Sequence, residues 1–158
     1  MEFAVLLLTP LLGALLLAVW GARPRAAEIN IALSFGTFLA AVAVTVRVIN
    51  EGNLTAAHEQ FFLDPFNVFL VTLTAFVGLT TSIFSRPYMR IEMEHGRLSH
   101  GRLRLYHSMY QLFMTMMLVA LTTNNMGLLW VSMEAATLST VLLVTLYRTP
   151  ASLEAGWK

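Results

Sequence analysis

The sequence has 158 residues, of which 57% are hydrophobic and 12% charged, and a formal net charge of +1. Water-soluble domains carry about 25% charged residues, so this composition excludes an ordinary soluble core and points to a bundle of helices in a membrane. The absence of cysteine excludes disulfides and any iron–sulfur cluster held by these residues alone.

Five apolar stretches follow one another, at 3–20, 29–46, 65–85, 106–122 and 126–147. Each is near the roughly 17–25 residues that cross a bilayer as an α-helix, and helix is the state in which such a run satisfies its own backbone. The expected fold class is therefore all-α, a polytopic transmembrane bundle forming one membrane domain over 1–158. In the first stretch, Pro10 and Gly13 are tolerated within a membrane helix and are expected to bend it. Glu2 precedes this stretch and Arg23 and Arg25 follow it, the reverse of a cleaved signal peptide, so it is read as a retained helix. The second stretch leads into a connection with Arg47, Glu51, Glu59 and Asp64, a single basic residue among acids. Asp64 before Pro65 suits a helix start.

After the third stretch comes SRPYMRIEMEHGRLSHGRLRLYH, in which Arg86, Arg90, Arg97, Arg102 and Arg104 accumulate. Residues 86–105 are read as a cytoplasmic loop whose charge sets topology, with docking of an acidic partner or anionic lipid as the functional alternative. His95, His100 and His107 match no zinc-binding spacing and are expected to be solvated loop histidines. In the fourth stretch Met109, Met114, Met116 and Met117 suit the filling of irregular packing gaps. The turn at Thr123–Asn125 carries no basic residue, and Arg148 follows the fifth stretch. Basic residues thus gather on alternate connections. By the positive-inside rule the N-terminus faces outward and the residues after Tyr147 face the cytoplasm, as expected in a prokaryotic inner membrane.

Glu134 interrupts the fifth stretch about 4 Å of helical rise from its centre. A carboxylate at that depth costs several kcal/mol unless it finds a cation, water or a proton. Ser132, Ala135, Ala136, Ser139 and Thr140 surround it with small residues that allow another helix to approach, and Thr137 lies one turn on, so an inward-facing site is expected. Glu134 is either a structural carboxyl that fixes helix packing or a member of an ion path. Burial raises a carboxylate's affinity for protons and a nearby cation lowers it, so a moving cation can switch such a group. No phosphate-binding loop, nucleophile–base constellation or pair of haem-ligating histidines occurs in the stretches. No catalytic centre is expected in this chain, and no nucleic-acid partner.

The run RLRLYHSMYQLFMTMMLVALTTNNMGLLWVSMEAATLSTVLLVTLYR, followed by ASLEAGWK, resembles the antiporter-like membrane subunits of respiratory complex I and the group 4 nickel–iron hydrogenases. Within that superfamily it is most similar to the component F type of hydrogenase-4 complexes, most strongly from about Asp64 onward. The resemblance implies a proton-translocating module in which Glu134 is the essential glutamate of the fifth helix, paired with a lysine on another helix. It implies a supporting role in the proton path for Lys158, for which a membrane-surface anchor is the simpler alternative. Nickel–iron and iron–sulfur centres are expected in partner subunits, membrane and peripheral, with no cofactor in this chain. The family has about fourteen helices where this chain supplies about five, so an N-terminal part of such a subunit is expected. The alternatives are a multisubunit cation/proton antiporter component, or a structural or assembly membrane protein with no ion path.

Overall fold

The computed structural model describes residues 2–157. Five long helices alternate in direction: α1 (Glu2–Trp20), α2 (Ala26–Glu51), α3 (Pro65–Glu94), α4 (His100–Thr122) and α5 (Met126–Val144). A 3-10 turn, Thr145–Tyr147, continues α5, and a short helix, α6 (Pro150–Trp157), follows. The fold is all-α apart from a small antiparallel hairpin between α2 and α3, β1 (Leu54–Ala56) and β2 (Phe61–Leu63), with Thr55 opposite Phe62.

α1, α2, α3 and the segment Met126–Tyr147 are long and apolar enough to cross a membrane. Their outer faces expose large apolar side chains such as Leu12, Leu15, Phe69, Phe84 and Leu138, a surface that water would penalise and lipid would not. α4, expected as the fourth span, is not among these apolar helices. It carries Tyr106, His107, Ser108, Tyr110, Gln111, Thr115 and Thr122 as buried residues and packs against α1, α2, α3 and α5. Its polarity is that of an inner helix. Other helices cover it, so its polar groups meet protein.

The two ends of the bundle differ in chemistry. At one end the hairpin packs on the α4–α5 corner: Asn124 N donates to Gln60 O at 2.7 Å and Asn125 Nδ2 to Gln60 Oε1 at 2.8 Å. Arg47, the single arginine there, bonds Glu51 at 2.9 Å and Glu2 at 3.3 Å. These exposed pairs contribute little to stability, but they show that the start of α1 meets the end of α2. The opposite end gathers the other eight arginines, from Arg23 to Arg148. Arg86 of α3 bonds Glu28 of α2 there at 2.6 Å, and Tyr147 donates to Tyr88 at 3.2 Å.

The arginine-rich residues read as a loop over 86–105 are helical except for a turn at 95–99. α3 runs on through Pro87 to Glu94, and α4 begins at His100, capped by Ser99, whose Oγ accepts from Arg102 N at 3.4 Å. Packing explains the extension. Met89, Leu98, Tyr106 and Leu146 form a second core at this end of the bundle, with Met93, Leu103 and Tyr147 against it. Glu92 is buried in this region and paired with Arg97 at 2.9 Å.

Candidate functional site

Glu134 lies in the middle of α5, and the structure turns it outward. Ser132, Ala136 and Ser139 are the buried residues of α5, and this stripe of small side chains faces α4. Successive helical residues are separated by about 100° around the axis, so Glu134, two residues from both Ser132 and Ala136, points to the opposite side. Trp130, Val131, Met133 and Leu138 are exposed with it. The inward-facing placement expected from the small neighbours is therefore not what these helices provide. The small residues do bring a helix close, but that helix is α4, and it packs on the other face.

Among the described residues Glu134 has no ion-pair partner, and the nearby Thr137 hydroxyl is occupied by Met133 O at 2.9 Å. A carboxylate thus stands on an exposed, largely apolar face of α5. Lys158 lies outside the described residues.

A polar seam that the sequence pattern did not single out runs inside the bundle. On α2, Asn30, Ser34 and Thr37 are buried at helical spacing, and His107, Ser108, Gln111 and Thr115 of α4 are buried opposite. Gln111 Nε2 donates to Asn30 Oδ1 at 2.8 Å and lies within reach of Ser34 Oγ at 3.1 Å and Asn30 O at 3.2 Å. Ser108 Oγ donates to Ala14 O of α1 at 2.9 Å, and the Tyr110 hydroxyl donates to Gly78 O of α3. The signal is present in the sequence as amide and hydroxyl residues three or four apart within apolar stretches, a spacing that puts them on one helical face.

The three histidines do not form a set. His95 and His100 are exposed, whereas His107, expected to be solvated, is 1% exposed within α4. The reason is the early start of α4, which carries His107 two turns inside the helix instead of at its edge. Among the described residues, no three His, Asp or Glu side chains gather in a group able to hold a metal ion.

Alternating long helices, apolar outer faces and a polar inner helix define a polytopic membrane-helix bundle. No protein-family model matches the chain. Along all 158 of its residues it is 42% identical to Hydrogenase-4 component F homolog of Methylacidiphilum infernorum (isolate V4). The chain spans about a third of that relative, 32% of its length. The match runs the whole length of the chain, in line with the resemblance drawn from the sequence.

Proposed function

We propose that the chain is part of a membrane subunit of a hydrogenase-like complex and that Glu134 serves proton translocation in it. The observation that carries this reading is the lone carboxylate at mid-helix on the outer, apolar face of α5. An acidic residue at the centre of a membrane helix costs about 2.5–3.5 kcal/mol on insertion scales, and such residues mark ion pathways. The similarity to a hydrogenase-4 component F homolog supports the setting.

Covering the outer face of α5 is then the task of helices beyond these residues or of a partner subunit, which bring a cation to Glu134. Approach of the cation favours the carboxylate, and its withdrawal in a desolvated site favours the acid. Proton uptake and release at Glu134 follow that movement. Lys158 belongs to the same reading as a second, supporting charge. Electron transfer is the work of partner subunits that hold nickel–iron and iron–sulfur centres, because no cysteine is present in this chain to ligate them. The arginine-rich end faces the cytoplasm of a prokaryotic cell.

In the assembled complex, Glu134→Gln is expected to abolish proton pumping in inverted vesicles while subunit composition stays unchanged, because the amide keeps the shape and loses the exchangeable charge. Normal pumping by a well-assembled Glu134→Gln complex rejects the role. A second reading has support in the structure, since the exposed Trp130, Val131 and Leu138 make this face a packing surface. If Glu134 only pins that interface through hydrogen bonds, Glu134→Gln retains pumping and Glu134→Leu loses assembly.

A further inference from the structure

At the arginine-rich end, the α1–α2 connection, α2, α3 and α4 line a cavity of about 280 Å³. Its charged and titratable lining is Arg23, Glu28, Arg86, Arg90, His100 and His107. Arg23, Arg90 and His100 are exposed at the rim, and His107 is the buried wall. Gln111 lies one helical turn deeper than His107, in the seam with Asn30 and Ser34.

Among the described residues, the buried side-chain atoms with no hydrogen-bond partner are Glu28 Oε2, both ring nitrogens of His107 and Gln111 Oε1. Glu28 and His107 line this cavity, and Gln111 follows His107 one turn along α4. A buried polar atom left unpaired costs about 1–3 kcal/mol, and native proteins leave few of them. An imidazole packed for its bulk alone would still pair at least one nitrogen with a neighbour. Here the nearest aromatic neighbour is Tyr106, whose ring meets that of His107 edge-on at 5.2 Å between centroids and offers it no hydrogen bond. Water is the partner that fits. A single molecule needs only about 10–15 Å³ and two to four polar contacts, and the cavity offers far more room beside a row of open donors and acceptors.

We propose that this cavity holds water, and that His107 exchanges its ring protons through that water with the aqueous phase at the arginine-rich end. Cavity water delivers a proton to the bare ring nitrogen, forming one N–H bond. The opposite N–H bond breaks and its proton passes to water, so the ring exchanges tautomer and keeps its charge. The groups around the ring are Glu28 from α2, Arg86 and Arg90 from α3, Arg23 from the α1–α2 connection, and His100 and Tyr106 from α4. The site is separate from Glu134, which lies on the outer face of α5, and it stands whether or not Glu134 carries protons.

Water-edited solid-state NMR of the full-length protein in phospholipid nanodiscs tests the proposal. Histidine is labelled with nitrogen-15 and tyrosine with carbon-13, so that the Tyr106–His107 pair identifies the ring. Magnetisation from water is expected to reach the His107 ring nitrogens as readily as those of exposed His95 and His100. Transfer that reaches His95 and His100 but not the His107 ring nitrogens overturns the proposal. Ala27 lines the same cavity, and Ala27→Leu, which fills it, is expected to cause loss of the His107 signal while His95 and His100 keep theirs. An undiminished His107 signal in a folded Ala27→Leu protein overturns the assigned route.

Discussion

Asp64, an aspartate directly ahead of a proline, marks a helix start by residue type alone, and the geometry bears this out in detail. Its Oδ1 accepts from Phe66 N at 3.1 Å and Asn67 N at 2.7 Å, while Asn67 Oδ1 accepts from Asp64 N at 2.7 Å. Asn67 also donates to Phe62 O at 2.7 Å, so the cap of α3 is tied to the hairpin that precedes it. Asp64→Ala is expected to destabilise the protein by about 1 kcal/mol, the usual cost of losing such a cap, measured by reversible denaturation in mixed micelles. Asn67→Leu, which removes the reciprocal bond and the tie to β2, is expected to cost more. Glu134 shows the opposite case. Its depth is legible in the sequence, but its direction is not, because small residues at positions 132, 136 and 139 say that some helix packs closely without saying on which side of the carboxylate. The burial of His107 is hidden in a similar way: a boundary drawn from hydropathy at 106 cannot register that Ser99 starts the helix earlier.

At the scale of elements, all five long helices are marked by an apolar stretch, but α4 starts earlier than its stretch and is the most polar of them, its place set by its surroundings. Its amides and hydroxyls lower its hydropathy, yet they are the groups that bond α1, α2 and α3. The residues read as a loop over 86–105 belong to α3 and α4 because Met89, Tyr106 and Leu146 form a core there, and long-range packing of this kind leaves no local signature. Gly21, just past the end of α1, approaches α4 closely: an added Cβ would meet the Leu17 carbonyl oxygen of α1 and stand 3.1 Å from Arg104 Cα and 3.2 Å from Arg104 O. Those are backbone atoms and cannot swing aside as a flexible side chain does. Gly21→Val is therefore expected to distort the last turn of α1 and its contact with α4, and to destabilise by about 1–3 kcal/mol, the range for overpacked sites. A lowered midpoint in the same denaturation assay checks it, and an unchanged midpoint would mean that the backbone here gives way without cost.

For the whole molecule, the alternation of arginines predicts which connections share a side, and the structure collects Arg23, Arg86, Arg97 and Arg148 at one end with Arg47 at the other. The sidedness proposed from the charge rule puts the hairpin end outside and the arginine-rich end in the cytoplasm. Asn53→Cys near the hairpin is expected to react with an impermeant maleimide added outside intact cells, and His95→Cys only after the membrane is opened. Labelling of His95→Cys from outside would invert the assignment. Both positions are exposed in this chain.

The polar character of α4 has a bearing on how such a chain is made. A segment rich in hydroxyls and amides gains little from entering lipid by itself, since each uncompensated polar group adds to the cost of leaving water. During synthesis α4 emerges after α1, α2 and α3 and ahead of α5. Its passage out of the insertion machinery depends on meeting helices already in place, whose backbone carbonyls and side chains receive its polar groups. Biogenesis of this bundle is in that sense sequential: the three earlier helices act as the template on which the fourth becomes a membrane segment at all.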